Sequence, residues 1–222
     1  MTAAMLRRGN AGRMGRHGQP DMSGVGAVVG VVERGSTAVL VTIGPDMRVL
    51  DRRRVDLIAP GLPTHPHHHE GSWAVGRYLG TPGARPMPLA DAVALVEQVR
   101  ASAERLAGSA LDSLAADVPA PITRLALRAC PPLPPTVEAR IRDHRAQAMA
   151  DSVMYRRALA GAASERGWSV HWYDVDRVHL EVAAVLGRDD VEVALREMGR
   201  GLGPPWQEAH RRAAAAALAA RR

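Results

Sequence analysis

The chemically richest stretch of the chain is Thr64-His65-Pro66-His67-His68-His69-Glu70. Imidazole and carboxylate are the ligands that Zn²⁺ and similar divalent metals prefer. In an extended segment side chains alternate between faces, so His67 and His69 share one face and His65 can join them. His65, His67, His69 and Glu70 therefore form a candidate site for a divalent metal. The spacing matches no helical His-Glu-x-x-His pattern, and Pro66 argues against a helical presentation. A solvated loop carrying a chance His run is the plainer alternative.

Two further groups of polar residues stand out. Arg140, His144, Gln147, Asp151 and Tyr155 recur at steps of three and four, which puts them on one stripe of a helix beside the apolar line Val137, Ile141, Ala148 and Leu159. Such a stripe could line a cleft, with His144 and Asp151 as candidate catalytic groups. It could equally be a hydrogen-bonded boundary between core and solvent. The third group is His171-Trp172-Tyr173-Asp174-Val175-Asp176, at the end of a strand-like run. In open α/β sheets ligands gather outside the carboxyl ends of the parallel strands, which makes Asp174 a candidate. Its alternative role is the N-cap of a following helix. Cys130 reaches a similar place and reads as a small buried hydrophobe.

Other chemistries find no support. Gly24-Val25-Gly26 lies inside a strand-like run, not before a helix, so it is no phosphate-binding glycine loop. No Ser-His-Asp set can be assembled. The four tryptophans, at 73, 168, 172 and 206, read as core anchors.

The elements that must position these residues follow from the hydrophobic pattern. Val25 to Val32 is nearly all apolar, which suits a strand buried on both faces. Arg34-Gly35-Ser36 is a turn, Thr37 to Ile43 a second β-branched run, and Gly44-Pro45-Asp46 a second turn. Arg48 to Ile58 alternates polar and apolar residues like an edge strand. Residues 59–88 are rich in Pro, Gly and His, the kind of long loop that is usually functional. Leu89 to Leu114 shows helical spacing after Pro88. Ile122 to Cys130 reads as a central strand, and Thr136 as the N-cap of one long helix ending at Gly167. Trp168 to Tyr173 is the last strand. The remainder is helical, broken near Gly187 and at Gly201 to Pro205. The order is three strands, then helices alternating with strands: an α/β mixed sheet flanked by helices.

Composition bounds the reading. The 222 residues are 46% hydrophobic, enough for one domain with a sizeable core. Residues 1–23 read as a disordered basic leader and 24–222 as a single domain. Four arginines and one acid in residues 1–21 supply half of the net charge of +6. The body is then only mildly basic, too little by itself to mark a nucleic-acid binder. All basic residues are Arg, Lys and Phe are absent, and Ala is abundant, as in GC-rich coding. There is no run long enough to cross a membrane and no apolar secretory stretch. One cysteine excludes an internal disulfide and fits a cytoplasmic location.

The order of elements resembles the ribonuclease H-like superfamily, and within it the RuvC-type resolvases. Two local echoes carry the likeness: the opening strand Val28-Val29-Gly30-Val31-Val32 with its Gly/Ser turn, and the Ala-rich terminal stretch His210-Arg211-Arg212-Ala213 to Leu218. The resemblance implies acids on the first strand, the fourth strand and the last helix. In nuclease members these hold two divalent metals about 4 Å apart, which stabilise the attacking and leaving oxygens. At those positions this sequence has Val32, Arg128, Arg211 and Ala214. A one-residue slip would make Glu33 the first acid. The chain also resembles a group of bacterial proteins with a Leu-Pro-Thr-His-Pro-x-His-His-Glu-Gly-Ser-Trp segment, a likeness that implies no activity.

Three functional expectations follow. The leading one is a degenerate ribonuclease H-like protein that has lost nuclease catalysis and binds nucleic acid or a protein partner. The second is a metal-dependent hydrolase built on His65, His67, His69 and Glu70. The third is a homo-oligomeric structural subunit that associates through its edge strand or its Ala-rich terminal helix.

Overall fold

The computed structural model describes residues 26–221; the basic leader expected over residues 1–23 lies outside them. Five strands form one mixed sheet: β1 (Ala27–Arg34), β2 (Thr37–Ile43), β3 (Val49–Asp56), β4 (Ile122–Arg128) and β5 (Ser169–Tyr173). Their spatial order is β3-β2-β1-β4-β5. β2 is antiparallel to both neighbours, while β1, β4 and β5 run parallel. The carboxyl ends of β1, β3, β4 and β5 therefore lie on one edge of the sheet.

The alternation of β1 divides the core in two. Ala27, Val29 and Val31 face one layer, built from α2 (Leu89–Asp117) and α4 (His144–Glu165), with the short α1 (Glu70–Ala74) and α3 (Val137–Arg142) beside them. Val28 and Val32 face the other, built from α5 (Val178–Leu186), α6 (Val191–Met198) and α7 (Glu208–Ala219). β1 is thus buried on both faces, as its unbroken apolar run predicts.

The Ala-rich stretch belongs to α7, which lies directly on β1 and β2. Ala213 to Ala219 are essentially without solvent exposure. Gly30 makes the close approach possible: a Cβ there would collide with the backbone of Ala213 and lie 2.6 Å from Ala217 N. The helix is pinned at its far end, where Arg124 donates to Ala220 O and Arg221 to Ile43 O. This corrects the expectation that the Ala-rich helix offers an oligomerisation face. Its small residues are spent on packing against the sheet.

β3 is an edge strand, as its alternation predicts, but its edge is not bare. The Arg52 guanidinium donates to the carbonyls of Leu202, Gly203 and Pro205 at 2.5, 2.7 and 2.8 Å. This docks the Gly- and Pro-rich connector on the sheet.

The long helix expected from Thr136 to Gly167 is two helices. Thr136 caps α3 by accepting from Ala139 N at 3.1 Å. Asp143 then leaves the helical conformation and caps α4, accepting from Arg145 N and Ala146 N at 2.8 and 2.9 Å. The apolar spacing runs straight through this break because both helices bury the same face.

Candidate functional site: an arginine-lined hollow

Residues 59–88 are ordered, and α4 explains why. Its polar stripe meets the loop one helical turn at a time. Tyr155 donates to Thr64 O at 2.9 Å. Asp151 accepts from His67 N, His68 N and the His67 ring, at 3.0, 3.1 and 2.9 Å. Gln147 accepts from Ser72 Oγ and Arg77 Nη1, at 2.8 and 3.2 Å. His144, at the exposed start of α4, bonds to the Tyr78 hydroxyl. Arg140 drops out of the row because it sits on α3, where it donates to Pro134 O and Pro135 O. Of the two roles open to this row, cleft lining or hydrogen-bonded boundary, it takes the second, and it anchors the loop.

The His run is correspondingly different from the extended segment expected. His65 O accepts from His69 N and Pro66 O from Gly71 N, so the residues form a helical turn leading into α1. Pro66 is tolerated there because the first turn of a helix needs no N–H from it. His67 turns inward to Asp151 and is 1% exposed. His69 instead stacks on Trp73, with ring planes 14° apart. Glu70 has one buried carboxylate oxygen without a partner, and burial pushes its pKa up. Among the described residues, no three His, Cys, Asp or Glu side chains are grouped to hold a metal ion.

The stronger constellation lies at the carboxyl edge of the sheet. Glu33 and Arg34 at the end of β1, Arg128 at the end of β4, Tyr173 at the end of β5, Ser152 and Arg156 on α4, and Arg212 on α7 enclose a hollow of about 200 Å³. Arg156 is the fixed member. It lies 3.4 Å from Glu33 Oε2, and both side chains are 7% exposed. Its Nη1 donates to both Arg128 O and Ala129 O, so it ties β4 to α4. Glu33 is the strained member. Burial drives its pKa up from 4.5 to about 7, outweighing the Arg156 charge, a Gly35 N–H, the Ser152 hydroxyl and the Arg128 charge, which act to lower it. Its Oε1 is buried without a partner. Tyr173 is tied up, its hydroxyl donating to Val31 O.

The hollow opens on both sides. Toward β5 it adjoins a cleft of about 550 Å³ lined by Arg128, Arg156, Cys130, Met149, Asp174 and Asp176. Asp174 is not the N-cap of α5; its carboxylate accepts from Asp176 N at 2.9 Å and closes the turn before that helix. Cys130 is half-buried at the cleft, not a core residue. Toward β3 the hollow adjoins a groove with Arg34, Arg52, Arg54 and His210.

Of the candidate catalytic groups, the structure brings Glu33 and Asp174 to the carboxyl edge and commits His144 and Asp151 to the loop. Of the positions carried over from the nuclease pattern, Arg128 does line the hollow. Val32 and Ala214 are buried between β1 and α7. Arg211 turns away toward Glu192, at 3.8 Å, and Arg212 takes its place. Sequence reasoning missed Arg34, Arg156 and Arg212. An arginine inside the apolar run Val153 to Leu159 was a visible signal for Arg156. Arg212 had none, since α7 is buried almost all round and shows no periodicity.

A sheet ordered 3-2-1-4-5 with its second strand reversed, and helices on both faces, defines a protein of ribonuclease H-like fold. Neither a family model nor a curated protein matches the chain. Among solved structures it is similar to Thermus thermophilus RuvC. The complex with a Holliday junction substrate shares 16% identity over 87% of this chain and 90% of that one, at a TM-score of 0.48. Another RuvC structure from Thermus thermophilus shares 14% identity over 87% and 92%, at 0.43.

The two-metal centre expected from the order of elements in the sequence does not fit the donors present. The hollow offers one carboxyl group, half-protonated near neutrality, against four guanidinium groups. Hard divalent cations need several ionised oxygens. The chemistry of this donor set suits an anion instead.

Proposed function

We propose that this ribonuclease H-like protein binds the phosphates of nucleic acid at the carboxyl edge of its sheet and has exchanged metal-dependent hydrolysis for anion recognition. One observation carries the reading: arginines 34, 128, 156 and 212, from four separate elements, converge where a metal-binding relative would need carboxylates. The side chains of Arg34, Arg54 and Arg128 make no hydrogen bond or ion pair among the described residues, so their guanidinium groups are available to phosphate. Among the described residues the Arg212 side chain is held only by an exposed contact of 3.7 Å to Glu208. Guanidinium groups of this kind grip phosphate with paired N–H donors.

Fluorescence anisotropy with labelled single-stranded and duplex oligonucleotides tests the reading. The expected result is binding at about 50 mM salt that weakens steeply by about 200 mM, as release of counterions requires. Arg128→Ala should lower the salt slope by about one. Absence of binding at low salt overturns the reading. The same samples with Mg²⁺ or Mn²⁺ should show no strand cleavage, and cleavage above background would restore the nuclease assignment.

A further inference from the structure

We propose that the hollow receives a terminal phosphomonoester of a nucleic-acid strand, not a phosphodiester within it. The inference rests on the nucleic-acid reading above and assigns the ligand of the same site.

Three observations carry it. The first is size. A volume of about 200 Å³ holds roughly six waters' worth of liquid, room for a phosphoryl group and part of a sugar. The second is charge. Four arginines face one carboxyl, which is more positive charge than a single diester neutralises, whereas a terminal phosphate carries close to two negative charges. The third is the orphaned oxygen. The Glu33 side chain is 93% buried; Arg156 lies beside its Oε2, Gly35 N–H and the Ser152 hydroxyl also favour its ionised form, and its Oε1 is still without a partner. Buried polar atoms are seldom left unsatisfied without a reason. A carboxyl that keeps its proton can donate an O–H to a phosphoryl oxygen, and this supplies the missing bond.

The protonated form is the one expected near neutrality, because burial holds Glu33 at about 7. The groups that face it are Arg156 on α4, Arg128 on β4, Tyr173 on β5, Arg212 on α7 and the adjoining Arg34. Apart from Tyr173, whose proton is held by its bond to Val31 O, all are permanent cations. Glu33 is therefore the group here that titrates near neutral pH. Once ionised it has no proton to give and repels the ligand.

The test compares full-length chain binding to one oligonucleotide sequence with a 5′-phosphate, a 3′-phosphate or hydroxyl ends, with inorganic phosphate and a mononucleotide as competitors. A phosphorylated end should bind on the order of tenfold tighter than hydroxyl ends. Arg212→Ala should abolish that preference. Wild-type preference should fade from about pH 6 to about pH 8, while Glu33→Gln, which keeps a donor, should hold it at the higher pH. Should Glu33→Gln fail to fold, loss of the preference in Arg128→Ala still assigns the phosphate to the hollow, and the wild-type pH profile alone tests the carboxyl. Equal, salt-dependent binding of all ends overturns this inference and leaves backbone binding standing. No binding of any oligonucleotide overturns both. A mononucleotide that competes as well as the phosphorylated strand overturns the strand-end assignment.

Discussion

Two faces of one helix, α4, carry polar residues into the protein and put them to opposite uses. On one, Gln147, Asp151 and Tyr155 meet the loop of residues 59–88, and their main polar groups find partners. On the other, Ser152 and Arg156 border the hollow, where Glu33 Oε1 has no partner and Arg128 and Arg34 are uncommitted. The first face includes the His-rich run that looks most like chemistry. The second is made of arginines and a single acid. The difference teaches that residue type alone is a poor guide to function. The loop side also buries His67 Nε2 and Glu70 Oε2 without a partner, so an orphaned atom is a pointer to a ligand only where it coincides with uncommitted charges, as at the hollow.

Asp151→Ala should produce the largest effect, because it strands two backbone N–H groups and the His67 ring in the interior. A loss of about 3–5 kcal/mol in urea unfolding is expected. A change under about 0.5 kcal/mol would mean the loop is not held by this face.

The sequence already carried much of this frame. The two turns, the double burial of the first strand and the edge character of the third were legible because each depends on local pattern. The partnership between residues 64–77 and 144–155 was not, since no periodicity reports which distant loop a polar stripe will meet. The break at Asp143 was hidden for another reason. Its capping chemistry was in plain sight, but the apolar spacing on either side stayed in phase. At the hollow, Arg128 lies where the end of its strand puts it, whereas on α7 the lining residue is Arg212 and not Arg211. Ala213 to Ala219 are buried on every side, so nothing in the pattern says which face looks at β1.

The second prediction concerns the other face. The double variant Arg128→Ala, Arg212→Ala should cost about 1.4–2.8 kcal/mol of nucleic-acid affinity, a ten- to hundredfold loss. Its unfolding free energy should stay within about 0.5 kcal/mol of the parent. A stability loss as large as that of Asp151→Ala would erase the distinction between the faces.

Glu33 gives an effect on stability with a definite sign. The folded chain retains a proton that the unfolded chain releases, since burial raises the group from 4.5 to about 7. Between those values stability should fall as pH rises, and Glu33→Gln should flatten that slope, measured by unfolding at a series of pH values. An unchanged slope would show that Glu33 is solvated and contradict the buried hollow.

The smallest expected change is for Tyr155→Phe, which removes one bond to Thr64 O at the start of the loop. About 1 kcal/mol is expected in urea unfolding, with faster proteolysis within residues 59–88 and no change in oligonucleotide binding.

The seating of α7 on β1 also has a consequence in time. The last helix completes the layer over the first strand, so the two ends of the described chain must meet before that layer exists. Contacts between such distant residues form late, after the nearer hairpin and helix pairs have paid their own closure costs. During synthesis β1 leaves the ribosome long before α7 does, and must wait with one apolar face uncovered. Arg212 arrives with α7. A chain cut short before that helix would therefore retain Arg128 and Arg156 but present them in an open, unfinished pocket, and phosphate recognition would begin only when translation has passed residue 212.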